Sequence, residues 1–268
     1  MNSRETRCVS SDLDAFLSRF KIEDLACNVK NLWWSSGGPD CACAKRGGIV
    51  PSERKLDLAA IENLVIAGWT GRNVAALEAH IKELEALGVQ RPRSVPIFYR
   101  VAAQLLTTAG SIQVMADKSS GEVEFVLYAL DDGMWIGVGS DHTDRKAETV
   151  GVTLSKQMCG KPVGSGLWRY DEVRPHWERL MLRSFVSDGG ARRLYQEGPV
   201  TTMRAPEELI RLYTGGDRLA PGTAMFCGTF AVHGGICYGG AFEMELDDPV
   251  LGRKLTHSYK IVQLPDEG

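Results

Sequence analysis

The sequence predicts a β-rich α+β fold, a mixed β-sandwich or roll with a few flanking helices. Many short apolar runs of strand length follow one another between residues 63 and 264. Only two stretches of that region have a helical pattern, which argues against the regular strand–helix alternation of a doubly wound sheet. The sequence contains no internal repeat.

The first predicted strand and the first predicted helix are neighbours. Residues 63–68 are an apolar, β-prone run and indicate a strand. A helix is predicted over residues 73–87, because apolar side chains recur there every three or four residues and Gly88 follows as an end signal. The apolar positions of this helix are Val74, Leu77, Ile81, Leu84 and Leu87.

Most of the remaining chain is predicted to be strands. They cover residues 97–99, 112–114, 125–130, 135–138, 181–186, 224–226, 242–246 and 259–264. A second helix is predicted over residues 206–213, since proline is favoured in the first turn of a helix. Glu207 and Glu208 add favourable negative charge at the N-terminal end of that helix.

Composition and charge are those of an ordinary globular protein. The chain has 268 residues, 44% of them hydrophobic, and a net charge of −3, which indicates no general affinity for nucleic acid or anionic membranes. No apolar run reaches the roughly 18–20 residues of a membrane-spanning helix, and a secretory signal is not evident. The seven cysteines are scattered, which favours a reducing compartment. We therefore expect a cytoplasmic protein.

Residues 1–57 differ from the rest and are predicted to form an N-terminal extension, so that the main domain covers residues 58–268. A short helix is expected over residues 13–20, followed by a Gly-rich linker. Cys41 and Cys43 are close enough in sequence to bind a soft metal, but no second Cys or His pair at zinc spacing accompanies them.

Two carboxylates at the start of the predicted strand 125–130 are the most informative feature. Because side chains alternate along a strand, Glu122 and Glu124 point to the same face. Two like charges side by side destabilise a strand unless a cation offsets them. Asp141 follows a short Gly-rich strand, and Lys156 comes after it. Three carboxylates and a lysine are a typical set for an oxygen-coordinated divalent ion beside a cationic catalytic group.

The alternative interpretation is a solvated strand face, the usual setting of an isolated Glu-x-Glu. The apolar residues 125–128 favour a buried strand instead, and Gly137 and Gly139 permit close approach of backbone or ligand near Asp141. The residues by themselves leave both interpretations open.

Several segments, in order from Leu64 to Leu264, together resemble the fumarylacetoacetate hydrolase superfamily, and most closely an uncharacterised bacterial branch of it. Members share a mixed β-roll and a metal bound by Glu, Glu and Asp. The resemblance implies that Glu122, Glu124 and Asp141 are metal ligands and that Lys156 is the active-site lysine. The turn after Asp141 departs from the family pattern, since Asp144-Arg145 replaces Arg-Asp.

Two later segments extend the resemblance. Residues 195–198 resemble the family's Gln-Asp/Glu-Gly turn, and residues 221–229 resemble its Pro-Gly-Asp-x-Ile-x-x-Gly-Thr signature. The match implies that Gln196, Gly228 and Thr229 bind substrate.

His80 and Glu83 match the family's His-x-x-Glu pair and are implied to be a catalytic dyad; an exposed helix pair is the alternative. Arg100 ends a predicted strand where the family often has a lysine. It is either a bidentate clamp for a substrate carboxylate or an exposed strand end.

The resemblance implies a divalent-metal-dependent hydrolase that cleaves a C–C bond in a 1,3-diketo or α-keto acid through a metal-stabilised enolate. Mg²⁺ is the expected cofactor, with Mn²⁺ or Ca²⁺ as alternatives. A hydratase, decarboxylase or tautomerase on the same scaffold would share the enolate, and a non-catalytic binding protein is the alternative outside enzymes. The expected partners are a small keto acid and, by resemblance alone, a second copy of the chain in a homodimer; neither nucleic acid nor a membrane is expected.

Overall fold

A computed structural model describes residues 53–86 and 91–267 of the chain. The chain divides into two compact units, Met1–Gly48 and Ile49–Gly268, and the description concerns the second. The helix predicted over residues 13–20 and the Cys41–Cys43 pair lie outside the described residues.

The described residues contain many strands and few helices, so the predicted β-rich α+β fold is confirmed. The strands are β1 (Glu53–Lys55), β2 (Asn63–Gly68), β3 (Ile97–Val101), β4 (Leu106–Thr107), β5 (Ser111–Met115), β6 (Ser119–Ser120), β7 (Val123–Leu130), β8 (Gly133–Ser140), β9 (Thr143–Asp144), β10 (Lys161–Pro162), β11 (Gly166–Arg169), β12 (Met181–Asp188), β13 (Ala191–Pro199), β14 (Thr223–Phe226), β15 (Ala241–Asp248) and β16 (Arg253–Leu264). The α-helices are α1 (Val74–Ala86), α2 (Arg145–Glu148), α3 (Val152–Met158), α4 (Tyr170–Val173) and α5 (Pro206–Thr214).

Two larger sheets form the body of the domain. The first has seven strands in the order β1-β11-β8-β7-β14-β2-β3, and the second has five in the order β13-β12-β15-β16-β5. Every residue of β7 is buried, because this apolar strand lies in the middle of the first sheet and both of its faces are covered. The prediction of a buried strand after the Glu-x-Glu motif is therefore confirmed.

The main core fills the space between the two sheets. Phe125 and Leu127 of β7 belong to the same apolar cluster as Leu182 of β12 and Met244 of β15. Each of these side chains is almost fully buried, and such burial contributes about 1.5–3 kcal/mol per side chain. Strands β12 and β15 alternate between buried and partly exposed residues, as expected for a sheet with one face toward the core.

A second apolar cluster covers the other face of the seven-stranded sheet. It includes Tyr99, Val126 and Phe226. Glu124 shares this face with Val126, since they are two residues apart on one strand. Gly139, opposite Glu124 on β8, has no room for a side chain: a Cβ there would lie 2.7 Å from the Phe226 ring. The carboxylates thus lie at the end of a tightly packed apolar layer.

Three elements differ from the sequence predictions. Residues 195–198 belong to strand β13 rather than to a turn. Lys156 lies on helix α3, which was not predicted. Residues 53–55 already form a strand that pairs with β11, although they were assigned to the N-terminal extension.

No helix among the described residues has the length and apolar character that crossing a bilayer requires.

Candidate metal centre and active site

The hairpin of β7 and β8 brings the predicted metal ligands together. Val123 pairs with Ser140 in the antiparallel register, so Glu122 lies opposite Asp141, whose backbone N–H donates to the Glu122 carbonyl oxygen over 3.0 Å. Glu122, Glu124 and Asp141 each offer one carboxylate oxygen, and these oxygens lie within 4.8 Å of one another. The sequence placed two carboxylates on one face, and the hairpin adds the third.

The chemistry of these three side chains fits a hard divalent cation. Glu124 and Asp141 are almost completely buried, with 2% and 0% exposure, and water therefore cannot offset their charges. Burial, followed by the nearby Asp141 carboxylate, raises the pKa of Glu124 well above its ordinary value. Asp141 Oδ1 accepts no well-aligned hydrogen bond. Carboxylate oxygens are the preferred ligands of Mg²⁺ and Ca²⁺, and a bound ion would favour the charged form of Glu124, which burial opposes.

Glu124 is held by the backbone of the loop that follows β14. The Gly228 N–H donates to Glu124 Oε2 over 2.6 Å. Gly228 has φ +102°, and a Cβ at this position would lie 1.8 Å from Thr70 Oγ1. The Thr70 hydroxyl donates to the Cys227 carbonyl oxygen and so fixes the loop at this point. Only glycine combines this backbone conformation with this close contact.

Lys156 extends from α3 into the carboxylate cluster. Its ammonium donates to Asp141 Oδ2 and lies 3.6 Å from Glu122 Oε2. It also lies 6.0 Å from the centre of the Tyr99 ring, within cation–π range. Burial alone would lower the pKa of Lys156, but the attraction of Asp141 and Glu122 outweighs it and raises the pKa above its ordinary value. The predicted lysine is therefore in contact with two of the three predicted ligands.

Lys161 is a second lysine at the site, and no role was predicted for it. It is completely buried, and its Nζ lies 3.1 Å from Asp141 Oδ1 and donates to the His142 carbonyl oxygen over 2.6 Å. Burial lowers the pKa of Lys161. Its place in the Lys-Pro-Val-Gly segment was the available signal, but spacing could not show that the side chain turns toward Asp141.

Arg145 is the other cation that was not predicted. Its guanidinium donates to Glu122 Oε1 over 2.8 Å, to Glu148 Oε2 over 3.1 Å and to the Ser120 hydroxyl over 2.7 Å. This is the position at which the turn departs from the family pattern, while Asp144 caps α2 through the Ala147 N–H. Because Asp144-Arg145 stands where the family has Arg-Asp, a cationic side chain lies next to the predicted metal ligand Glu122.

A neutral histidine supports the end of β8. His142 is completely buried, and burial is the main reason that its pKa is lowered to about 3. The Tyr259 hydroxyl donates to Ser140 Oγ, so it accepts from His142 Nδ1–H over 3.0 Å, which leaves Nε2 to accept from the Ser119 hydroxyl. This chain of hydrogen bonds holds the segment that carries Asp141.

The sequence profile of a family described as "Protein of unknown function (DUF2848)" matches residues 67–259, which include every side chain of this cluster. The chain belongs to the DUF2848 family. No curated protein sequence matches it.

Several solved structures of other proteins have a fold similar to that of this DUF2848 protein. Cg1458, solved with an inhibitor, has 17% sequence identity and a TM-score of 0.57, covering 76% of this chain and 78% of its own. A yeast fumarylacetoacetate hydrolase family protein, ynq8, has 17% identity and a TM-score of 0.55, covering 77% and 95%. 2-Keto-3-deoxy-D-arabinonate dehydratase, complexed with magnesium and 2,5-dioxopentanoate, has 17% identity and a TM-score of 0.55, covering 77% and 75%. The predicted fumarylacetoacetate hydrolase fold is therefore confirmed.

In the DUF2848 protein Arg100 lies on the face of β3 opposite the carboxylates, which favours the second of its two interpretations, an exposed strand end, over a substrate clamp. Its neighbour Tyr99 faces Lys156, and because side chains alternate along a strand, Arg100 points to the opposite face. Arg100 is exposed, and its guanidinium donates to Asn63 Oδ1 over 2.6 Å and to the Tyr213 hydroxyl over 3.1 Å. It is a strand-end residue that links β3 to α5.

The other predicted substrate-binding residues are close to the metal ligands but are occupied by protein contacts. Gly228 holds Glu124 through its backbone, as described above. The Thr229 hydroxyl donates to the Val123 carbonyl oxygen over 2.7 Å. Gln196 is completely buried, and both ends of its amide group are hydrogen-bonded within the protein.

His80 and Glu83 lie on α1, as predicted from the periodicity of that segment. Their side chains lie outside the described part of the structure. The N-terminal end of α1 follows Thr70, whose hydroxyl contacts the loop that holds Glu124. Their role as a dyad stays a prediction.

Proposed function

We propose that this protein is a divalent-metal-dependent enzyme that cleaves a C–C bond in a small keto acid by hydrolysis. The observation that carries the proposal is the convergence of Glu122, Glu124 and Asp141 within 4.8 Å, with the Lys156 ammonium in contact. The three carboxylates would hold Mg²⁺ or Mn²⁺. When bound, the ion would supply Lewis-acid polarisation of a carbonyl oxygen.

A keto acid suits this site for two reasons. A carboxylate and an adjacent or 1,3-related keto oxygen are hard donors that chelate such an ion. The site has as many cationic side chains as carboxylate ligands, namely Lys156, Lys161 and Arg145. With a divalent ion bound, the net charge of these groups would be positive, which favours an anionic substrate. The dehydratase of similar fold was solved with magnesium and 2,5-dioxopentanoate, a ligand of this class.

Within this proposal the protein's own residues handle charge and protons. Water attacks the carbonyl carbon, the C–C bond breaks, and the carbon that leaves with the electron pair is then protonated. The Lys156 ammonium stabilises the negative charge that develops on the keto oxygen. His80, paired with Glu83, takes the proton from water and afterwards gives it to the carbon that leaves, so the same residue would exchange protons at a carbon next to a keto group. The Gly228 N–H holds the Glu124 carboxylate in place, and Glu124 would be one of the residues that hold the ion.

Metal binding tests the proposal directly. We expect Mn²⁺ and Mg²⁺ to raise the melting temperature of the wild-type protein, and an ion present at 100 times its Kd stabilises the folded state by about 2.7 kcal/mol. Oxalate, which presents two adjacent carboxylates, should raise the melting temperature further only when the ion is present. Arg100→Ala serves as a control and should behave like the wild type. A melting temperature that ignores both ions at millimolar concentration would exclude the proposed function.

The proposed base gives a second prediction. Exchange of the methyl protons of pyruvate for deuterium, followed by NMR, reports proton removal next to a keto group without knowledge of the natural substrate. His80→Ala should slow this exchange by about 10²–10⁴-fold, the usual contribution of general base catalysis, and leave the Kd for Mn²⁺ unchanged. An unchanged exchange rate would contradict the role of His80 as the base.

A further inference from the structure

An irregularity in the second sheet directs a polar side chain toward the metal ligands. Ser184 of β12 pairs with Gln196 of β13, but Phe185 pairs with Leu194, so Tyr195 is an extra residue in β13. Such a bulge turns neighbouring side chains to the same side of a strand. Tyr195 and Gln196 are accordingly both completely buried, although they are adjacent. The bulge therefore lets Gln196 extend from the second sheet into the first.

The amide group of Gln196 makes four hydrogen bonds. Its Oε1 accepts from the Val123 N–H and from the Ser184 hydroxyl, each over 3.0 Å. Its Nε2 donates to Thr229 Oγ1 and to the Phe230 carbonyl oxygen, each over 2.8 Å. A glutamine amide has two donor hydrogens and two acceptor lone pairs, so no capacity remains for a substrate.

The contact with Val123 takes the place of a missing strand. β14 pairs with β7 only as far as Phe226 opposite Val126. Beyond that point the backbone of Val123 has no strand on this side, and its N–H and carbonyl oxygen are instead bonded by Gln196 and by the Thr229 hydroxyl. Buried backbone groups require such partners. Val123 is the residue between Glu122 and Glu124, so these bonds fix the backbone that carries both ligands.

The same amide group also holds the loop that contacts Glu124. Thr229 and Phe230 follow Gly228 directly, and the Gly228 N–H donates to Glu124 Oε2. Gln196 is thus bonded on one side to the backbone between the two glutamates and on the other side to the loop that orients one of them. The amide oxygen and the amide nitrogen of Gln196 therefore both help to hold Glu124, one through the Val123 backbone and the other through the 228–230 loop.

We infer that Gln196 is a positioning residue that sets metal affinity through Val123 and the 228–230 loop, and that it does not contact the substrate. This inference rests on the proposed function, because it assumes that Glu122 and Glu124 bind the ion. It differs from the role implied by the family resemblance, in which this glutamine binds the substrate.

Titration with Mn²⁺, followed by isothermal calorimetry, separates the two roles. Gln196→Met keeps the length of the side chain and removes all four hydrogen bonds. We expect the Kd for Mn²⁺ to rise by about 10–100-fold, the usual effect of losing a residue that orients a ligand. Oxalate should still bind the manganese-saturated variant with nearly wild-type affinity. The opposite pattern, an unchanged Kd for Mn²⁺ with weakened oxalate binding, would overturn the inference and make Gln196 a substrate contact.

Ser184→Ala is the matched control for a purely structural role. It removes one hydrogen bond from the same buried amide group but leaves the bonds to Val123, Thr229 and Phe230. We expect it to lower the melting temperature and leave the Kd for Mn²⁺ unchanged. If it raised that Kd as much as Gln196→Met, general loss of packing would explain the effect and the inference would fail.

Thr229→Val gives a second test that does not depend on the folding of Gln196→Met. It removes the hydroxyl that joins Val123 to Gln196 at a partly exposed position. Weaker Mn²⁺ binding is expected, and an unchanged Kd would contradict the inference. Failure of the wild-type protein to bind Mn²⁺ would be a different result, because it would remove the proposed function first.

Discussion

Glu124→Gln is expected to abolish stabilisation of the protein by Mg²⁺ and Mn²⁺. The substitution keeps the volume of the side chain and an oxygen that accepts from the Gly228 N–H, but it removes the negative charge of one of three ligands. At an ion concentration that stabilises the wild type by about 2.7 kcal/mol, the variant should show no shift in melting temperature. Turnover and metal-dependent oxalate binding should be lost with it.

Without metal, the same variant should be more stable than the wild type near neutral pH. The pKa of Glu124 is raised in the folded protein, so the folded state binds more protons than the unfolded state between the ordinary pKa near 4.5 and the raised value. Stability of the metal-free wild type therefore falls as the pH increases through that interval. Glutamine does not titrate, and the variant should lack this loss. Urea unfolding in the presence of a chelator at several pH values measures the difference.

Glu148→Gln is the matched control for the loss of one negative charge. Glu148 contacts Arg145 but is not one of the three clustered ligands. Its substitution should leave the metal-dependent shift in place. A normal shift in Glu124→Gln, or an equal loss in Glu148→Gln, would contradict the ligand assignment.

Gly228→Ala should damage the site and the fold together. The new Cβ would lie 1.8 Å from Thr70 Oγ1, at a φ of +102° that side chains rarely adopt. Overpacking of this kind costs about 1–3 kcal/mol, and an unfavourable backbone conformation adds about 1–3 kcal/mol. The loop must move to relieve the contact, which takes the Gly228 N–H away from Glu124. We therefore expect both a lower free energy of unfolding and weaker Mn²⁺ binding.

Gly235→Ala is the control for Gly228→Ala, because it introduces a Cβ at a positive φ without a close contact. Gly235 has φ +85°, but a Cβ there meets no atom within 4 Å. It should lower stability by about 1 kcal/mol, the cost of a left-handed conformation for a residue with a Cβ, and leave Mn²⁺ affinity unchanged. Equal effects of the two substitutions on metal affinity would show that the position of Gly228 has no special importance.

Much of the fold follows from local sequence patterns. The strand over residues 63–68, the helix that begins after Asn73 and the helix that begins at Pro206 lie where periodicity and end signals predict them. These features depend on residues close to one another in the chain. The error at residues 195–198 has a long-range cause, because a polar Gln-Glu-Gly run became a strand through pairing with β12.

The predicted site likewise has parts that local sequence indicates and parts that depend on long-range contacts. Alternation along one strand was enough to place Glu122 and Glu124 on a common face, and the family resemblance supplied Asp141 and Lys156. Nothing in the sequence indicated that Arg100 would bond to Asn63 and Tyr213 on the opposite face.

What the sequence alone determined is the β-rich class, the regular elements and the shared face of the two glutamates, because each depends on spacing within one segment. What only the tertiary structure decided is which distant side chains meet there. Lys161 reaches Asp141 from strand β10, and Arg145 reaches Glu122 because its position is exchanged with that of the neighbouring aspartate. Gln196 reaches the backbone between the two glutamates through a strand bulge. Their positions depend on packing between sheets and loops, which spacing along the chain does not encode.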